Sequence, residues 1–198
     1  MTGRLRPAMI ATVLVAAGAL AGCGADTPGK DCPTGAEGYV ECAPEQRPPA
    51  RAVTGELLDG TAYDVSSDRG KVVVVNFWGS WCAPCRAEAD DLEQTYRATK
   101  ARDVTFVGVN WQDGRDAARA FERGRVTYPS LFDPPGRIAL AFKVTAALTP
   151  TTLVLDRHGR IAATKRGGTT ADQLRPVVER IAAEPRPPSG APPTTGAN

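Results

Sequence analysis

Histidine is nearly absent from this chain: His158 is the single one in 198 residues. Structural zinc takes four ligands, usually two cysteine pairs or one pair with histidines. Cys32 and Cys42 do not have the spacing of such a pair, so no metal site is expected, and no other cofactor is implied. An excess of charge is also lacking. Of the 24 basic residues, Arg4 and Arg6 lie within positions 1–22, where none of the 22 acidic residues falls, so the remainder balances at 22 to 22. Nothing in that balance argues for nucleic acid as a partner. A membrane-length apolar run is missing as well. The stretch from Ala8 to Ala21 is too short and too rich in Ala and Gly to span a bilayer.

That stretch instead fits the core of a signal peptide preceded by two arginines, so residues 1–22 are expected to be a targeting segment. It ends in Leu20-Ala21-Gly22-Cys23, which resembles the bacterial lipobox. Cleavage before Cys23 would leave that cysteine to carry the lipid; the alternative is an ordinary secreted protein cut nearby. With Cys23 acylated, four of the five cysteines remain: Cys32, Cys42, Cys82 and Cys85. Three connectivities can be drawn, and the separations favour the local pairs. A Cys32–Cys42 disulfide would stiffen a short loop in an oxidising compartment.

What the chain does have is the run from Lys71 to Glu88, KVVVVNFWGSWCAPCRAE. Four β-branched valines in succession suit a strand buried on both faces. Beyond Cys82 the residues are good helix formers, with Pro84 tolerable in a first turn. The cysteines therefore sit where a buried strand becomes a helix. N–H groups there lack intrahelical partners and the dipole is positive, so a thiolate at Cys82 is favoured, and thiolate is the species that attacks disulfides. The residues point to a redox-active dithiol, weighed against a zinc knuckle or an inert disulfide.

Residues 23–52, rich in Gly, Pro, Asp and Glu without apolar periodicity, read as a flexible spacer. Order is expected from Val53, with a hairpin turning at Asp59-Gly60. Then come a strand to Trp78, a helix over 83–100, a strand over 104–109, a short helix ended by Gly124, a strand within 128–133 and a short helix over 138–142. Strands over 152–155 and 161–165 follow, then a last helix capped by Thr170 or Asp172. The Pro-rich tail, residues 184–198, is expected to be disordered. Strands alternating with helices and closing on a hairpin plus helix imply an α/β sandwich with a mixed sheet.

WCAPC after VVVNFW, Thr149-Pro150-Thr151 downstream and the LVLDRHGRI that follows together resemble the thioredoxin superfamily, and within it the membrane-anchored TlpA/ResA-like thiol-disulfide oxidoreductases. The resemblance covers residues 53–183, and the segment from Asn110 to Val144 fits the strand-helix insertion of that branch. It implies a three-layer thioredoxin-like sandwich with an N-terminal hairpin, and a cis Pro150 beside the dithiol with Thr149 offering backbone hydrogen bonds to substrate. Glu88, one turn beyond Cys85 on the same helix face, would belong to the active site and relay the Cys85 proton; its plainer reading is a solvated glutamate. Cys82 would be the exposed nucleophile, Cys85 would resolve, and Trp81 would be a rim residue touching substrate. The substrates implied are exported protein thiols or disulfides, with the cysteines of apocytochrome c as one class and a membrane or extracytoplasmic redox partner. A disulfide-forming oxidase and a redox-inert binding module are the alternatives.

Overall fold

The computed structural model describes residues 32–186. The expected targeting segment 1–22, the expected lipid site Cys23 and the tail beyond Arg186 lie outside the described residues. The valine run forms strand β4 (Val72–Trp78; β1 to β3 are defined below), buried at every position. Alternate side chains leave a strand on opposite faces, so β4 feeds two cores. Val72 and Val74 pack with Leu92 of helix α1 (Ala83–Thr99) and with Leu174, Val177, Val178 and Ile181 of the C-terminal helix (Ala171–Ala182). Val73, Val75 and Phe77 join Val107, Val109, Leu153 and Leu155 on the other face.

Four further strands complete the sheet around β4. They are β5 (Val104–Trp111), β6 (Ser130–Asp133), β7 (Thr151–Leu155) and β8 (Ile161–Arg166). With β1 (Val40–Glu41) at one edge the order is β1-β8-β7-β4-β5-β6. β4, β5 and β6 are parallel, whereas β7 runs antiparallel to β4 and β8 to β7. The sheet is mixed, as the sequence implied. Helix α2 (Arg115–Glu122) connects β5 to β6, and α3 (Arg137–Ala141) follows β6, so both fall in the expected insertion. The C-terminal helix is α4, and Thr170 is its cap, in a capping box with Gln173. The hairpin β2 (Thr54–Glu56) and β3 (Ala62–Asp64) turns at Asp59-Gly60 and leans on β6, where Leu58 N–H donates to the Ser130 carbonyl at 2.8 Å.

Two expected boundaries need correction. Order begins before Val53, because the stretch read as a spacer lies along β8. Val40 pairs with Thr164, Cys42 N–H donates to the Ala162 carbonyl, and Ile161 N–H donates to the Pro48 carbonyl. Tyr39 is fully buried, and Cys32 and Cys42 are bonded to each other. The segment lacks apolar periodicity because backbone pairing, one tyrosine and one arginine anchor it. Arg47 is buried, bonding Asp156 at 3.3 Å and both carboxylate oxygens of Glu184 at 2.6 Å. Glu184 is thus tied to the domain, although the sequence assigns it to the tail.

Removing one partner of a buried ion pair leaves the other charge uncompensated. Arg47→Ala is expected to lower unfolding free energy by about 3 kcal/mol in urea melts. A loss below about 1 kcal/mol, the range of an exposed pair, would contradict this anchoring.

Candidate active site

The dithiol stands where the sequence placed it. β4 ends at Trp78, a three-residue loop follows, and Cys82 is the N-cap of α1, its Sγ accepting from Cys85 N–H at 3.2 Å. The Arg86 N–H donates to the Cys82 carbonyl, closing the first turn. In the structure Cys82 and Cys85 are joined as a disulfide. Both are buried, at 4 % and 3 % exposure, against Trp78, Leu58 and Ala118. The expectation of an exposed Cys82 therefore fails for this oxidised form: α2 and the hairpin cover what a strand-helix pattern alone leaves open.

Trp81 is the exposed aromatic at the rim, 46 % accessible and edge-on to Trp111 with ring centroids 6.0 Å apart. Its indole folds over Gly79, where any side chain would collide with it. The loop between is pinned from the turn after β5 by Asp113, which accepts from Ser80 N–H at 2.6 Å, Ser80 Oγ at 2.9 Å and Asn110 Nδ2 at 2.9 Å.

The Thr149-Pro150 bond is cis. Thr151 pairs with Phe77, which brings Pro150 level with Trp78 at the end of the sheet where the dithiol loop starts. The Thr149 N–H already donates to the Ala146 carbonyl, and the Pro150 carbonyl accepts from Gly167 N–H. Of the backbone groups flanking this bond, the Thr149 carbonyl is the one without a protein donor among the described residues.

Glu88 is not a solvated glutamate. It is 2 % exposed, on the face of α1 that carries Cys85, and accepts from Asn76 Nδ2 and Thr169 N–H at 2.9 Å each. Asn76 also reaches Thr152 Oγ1 at 3.1 Å, and the Tyr39 hydroxyl donates to Thr169 Oγ1 at 2.9 Å. Burial pushes the Glu88 carboxyl up to about 7, the bonds from Asn76 and Thr169 offsetting only part of that cost. A second carboxyl, Glu122 at the end of α2, is pushed to about 7 by burial too, with the Ser130 hydroxyl as its partial offset.

Residues 43–180 match the Redoxin family, which is most of the chain. The chain belongs to the Redoxin family. Among curated relatives, this redoxin is 35% identical over 138 residues to the thiol:disulfide interchange protein HelX of Rhodobacter capsulatus, covering 68% of this chain and 75% of that one. It is 30% identical over 125 residues to the thiol-disulfide oxidoreductase ResA of Geobacillus kaustophilus, covering 63% of this chain and 71% of the relative. Among solved structures, a secreted thiol-disulfide isomerase from Corynebacterium glutamicum superposes with a TM-score of 0.70 at 33% identity, over 74% of this chain and 92% of that one. This redoxin is accordingly a thiol-disulfide oxidoreductase of the TlpA/ResA-like kind with a thioredoxin-like fold.

Sequence reasoning missed Asn76, Asp113, Thr169, Tyr39 and Glu122. Asn76 carried a signal, as the one polar residue in an apolar strand whose ends are both buried. Asp113, Thr169 and Tyr39 are brought in by tertiary packing from positions 33 to 130 residues away from their partners, and Glu122 by the burial of the end of α2.

Glu88 and Glu122 hold protons in the folded protein up to about 7, whereas an ordinary glutamate releases its proton near 4.5. Between those values the unfolded chain binds fewer protons than the folded one, so stability is full below about 4.5 and falls as pH rises through about 7. Each group accounts for on the order of 3 kcal/mol over that window. Glu88→Gln is expected to remove about half of the decline in urea melts at about pH 5 and pH 8; an unchanged decline would mean that the buried Glu88 carboxyl is ionised throughout.

Proposed function

We propose that this redoxin exchanges disulfides with exported proteins while anchored by a lipid on Cys23 to the outer face of the cytoplasmic membrane. The observation that carries the reading is Cys82 at the N-cap of α1, its sulfur accepting the Cys85 N–H. The unpaired N–H groups and positive dipole end favour negative charge on that sulfur, whereas Cys85 lies one turn deeper, on the face shared with the buried Glu88.

The reaction follows from that asymmetry. In reduction, the Cys82 thiolate attacks a substrate disulfide; one substrate sulfur leaves as thiolate and the other is held in a mixed disulfide. Cys85 then loses its proton, with Glu88 as acceptor, and attacks Cys82 Sγ. The Cys82–Cys85 bond forms, and the second substrate sulfur departs with the electron pair. In the reverse direction a substrate thiolate attacks the oxidised pair at Cys82. Trp81 and the Thr149-Pro150 edge hold the substrate chain, the Thr149 carbonyl accepting a substrate N–H. The role of Glu88 as proton acceptor is supported by its burial and its value near 7.

The likeness to ResA and HelX supports thiol-disulfide exchange itself; the reductive direction, with the haem-binding cysteines of apocytochrome c as substrate and a membrane redox partner as the electron source, is the reading that the TlpA/ResA-like resemblance favours. A second reading, formation or rearrangement of disulfides in secreted proteins, is supported by the likeness to the secreted isomerase. The lipid reading rests on Leu20-Ala21-Gly22-Cys23; among the described residues no helix is long and apolar enough to cross a membrane.

The roles predict that Cys85→Ser accumulates a mixed disulfide through Cys82, seen as a mass adduct with a disulfide-bearing peptide, while Cys82→Ser accumulates none. Insulin reduction is expected to fall to the uncatalysed background in both. Adducts forming only through Cys85 would reverse the assignment, and full activity without either cysteine would refute it.

A further inference from the structure

Two openings in the molecule meet at Glu122 and Val126, of which only Glu122 carries a polar side chain. On the solvent side, a cleft of about 400 Å³ runs between the hairpin and α2, lined by Leu57, Asp59, Arg119, Arg123 and Glu122. On the core side, a small cavity lies among Asn76, Trp78, Cys85, Phe121, Tyr128 and Glu122, with about 10 Å³ open to the centre of a water molecule. That is about the smallest space that holds one water, and Asn76, Glu122 and Tyr128 bring it polar groups. The Glu122 Oε1 atom is buried without a protein partner, in a residue that borders both openings. Beside it, Trp78 Nε1 donates to Ser130 Oγ at 3.2 Å, which leaves the serine's own proton for the carboxyl. Gly108 makes this approach feasible, because a side chain there would collide with both Ser130 Oγ and Trp78 Nε1.

The groups that face Glu122 can be named. Cys85 comes from α1, Ser130 from β6, Tyr128 from the segment before it, Asp59 from the hairpin turn, Arg119 from α2 itself and Arg123 from its C-cap. Tyr128 is held far above its ordinary value by burial, then by the charges of Glu122, Glu88 and Glu93, so it stays neutral. Glu88 reaches the same cavity only through Asn76, which lines it and donates to the Glu88 carboxylate.

The geometry points to Glu122 as a second proton carrier for Cys85, exchanging with the sulfur through one water in the cavity and with solvent through the cleft. This rests on the dithiol reading above. In this route, an alternative to direct transfer to Glu88, the Cys85 thiol gives its proton to the water in the resolving step as the water passes one to the Glu122 carboxylate. The Cys85 thiolate attacks Cys82 Sγ, the Cys82–Cys85 bond forms, and the substrate leaves as thiolate with the electron pair of the broken bond. No outside oxidant or reductant enters. The solvent-facing cleft then returns the proton to bulk water, a route that the more enclosed Glu88 lacks.

The test follows the resolving step directly, by stopped-flow decay of the mixed disulfide across a pH series in wild type, Glu122→Gln and Glu122→Asp. Glu122→Gln is expected to slow decay at neutral pH by at least about tenfold, less than the roughly hundredfold of a sole acid–base group because Glu88 remains, and to remove one inflection near 7. Glu122→Asp should restore part of both. In wild type, a carbon-13 NMR titration of the Glu122 carboxyl should give different midpoints for the oxidised and reduced protein, which a purely structural glutamate would not. A decay rate within about twofold of wild type with the same pH profile, or one midpoint in both redox states, overturns the proposal and leaves the dithiol mechanism standing. Failure of wild type to form any mixed disulfide overturns both.

Discussion

The hydrogen bond from Cys85 N–H to Cys82 Sγ is the constraint around which the molecule is arranged. It exists because β4 is buried on both faces and delivers the chain, after three residues, to the first turn of α1. A helix start is the one place where backbone donors face outward without partners, so a sulfur there replaces a cap. Asp113 fixes the loop between strand and helix from the far side, holding Ser80 by two bonds. The cis Pro150 closes the opposite flank at the register set by Thr151 against Phe77. Strand, loop and edge thus converge on two sulfur atoms from three directions.

Beneath them the interior is less apolar than its valines suggest. Glu88, Asn76, Thr152, Thr169 and Tyr39 form one buried chain of hydrogen bonds reaching from α1 through the sheet to the N-terminal segment. A carboxyl there is tolerable because its partners are in place and because it can remain protonated near neutral pH. The N-terminal segment is therefore more than a tether. Its tyrosine completes the network under the dithiol, and Arg47 locks it to Asp156 and Glu184 at the far end of the sheet.

Much of this was readable in the chain, and the rest was not for identifiable reasons. The strand, the helix, the dithiol at their junction and the hairpin turn are local patterns, each written in consecutive residues. Thr149-Pro150 was legible only through resemblance, since a proline before a strand is ordinarily trans. Glu88 could be placed on the Cys85 face by helical spacing, but its burial depends on α4 and the loop before it. The segment before Val53 escaped because one buried tyrosine and one arginine leave no period to detect. Cys82 looked exposed because nothing local announces that Leu58 and Ala118 will cover it.

The central claim is an asymmetry: one sulfur at the helix start that ionises readily and one beneath it that does not. Alkylation of the reduced protein across a pH series, with each cysteine followed by peptide mass spectrometry, measures it directly. The account predicts that Cys82 reacts with a midpoint well below the roughly 8.5 of a free thiol, while Cys85 stays protonated to higher pH. Two cysteines titrating together near that ordinary value, or Cys85 reacting first, would contradict it.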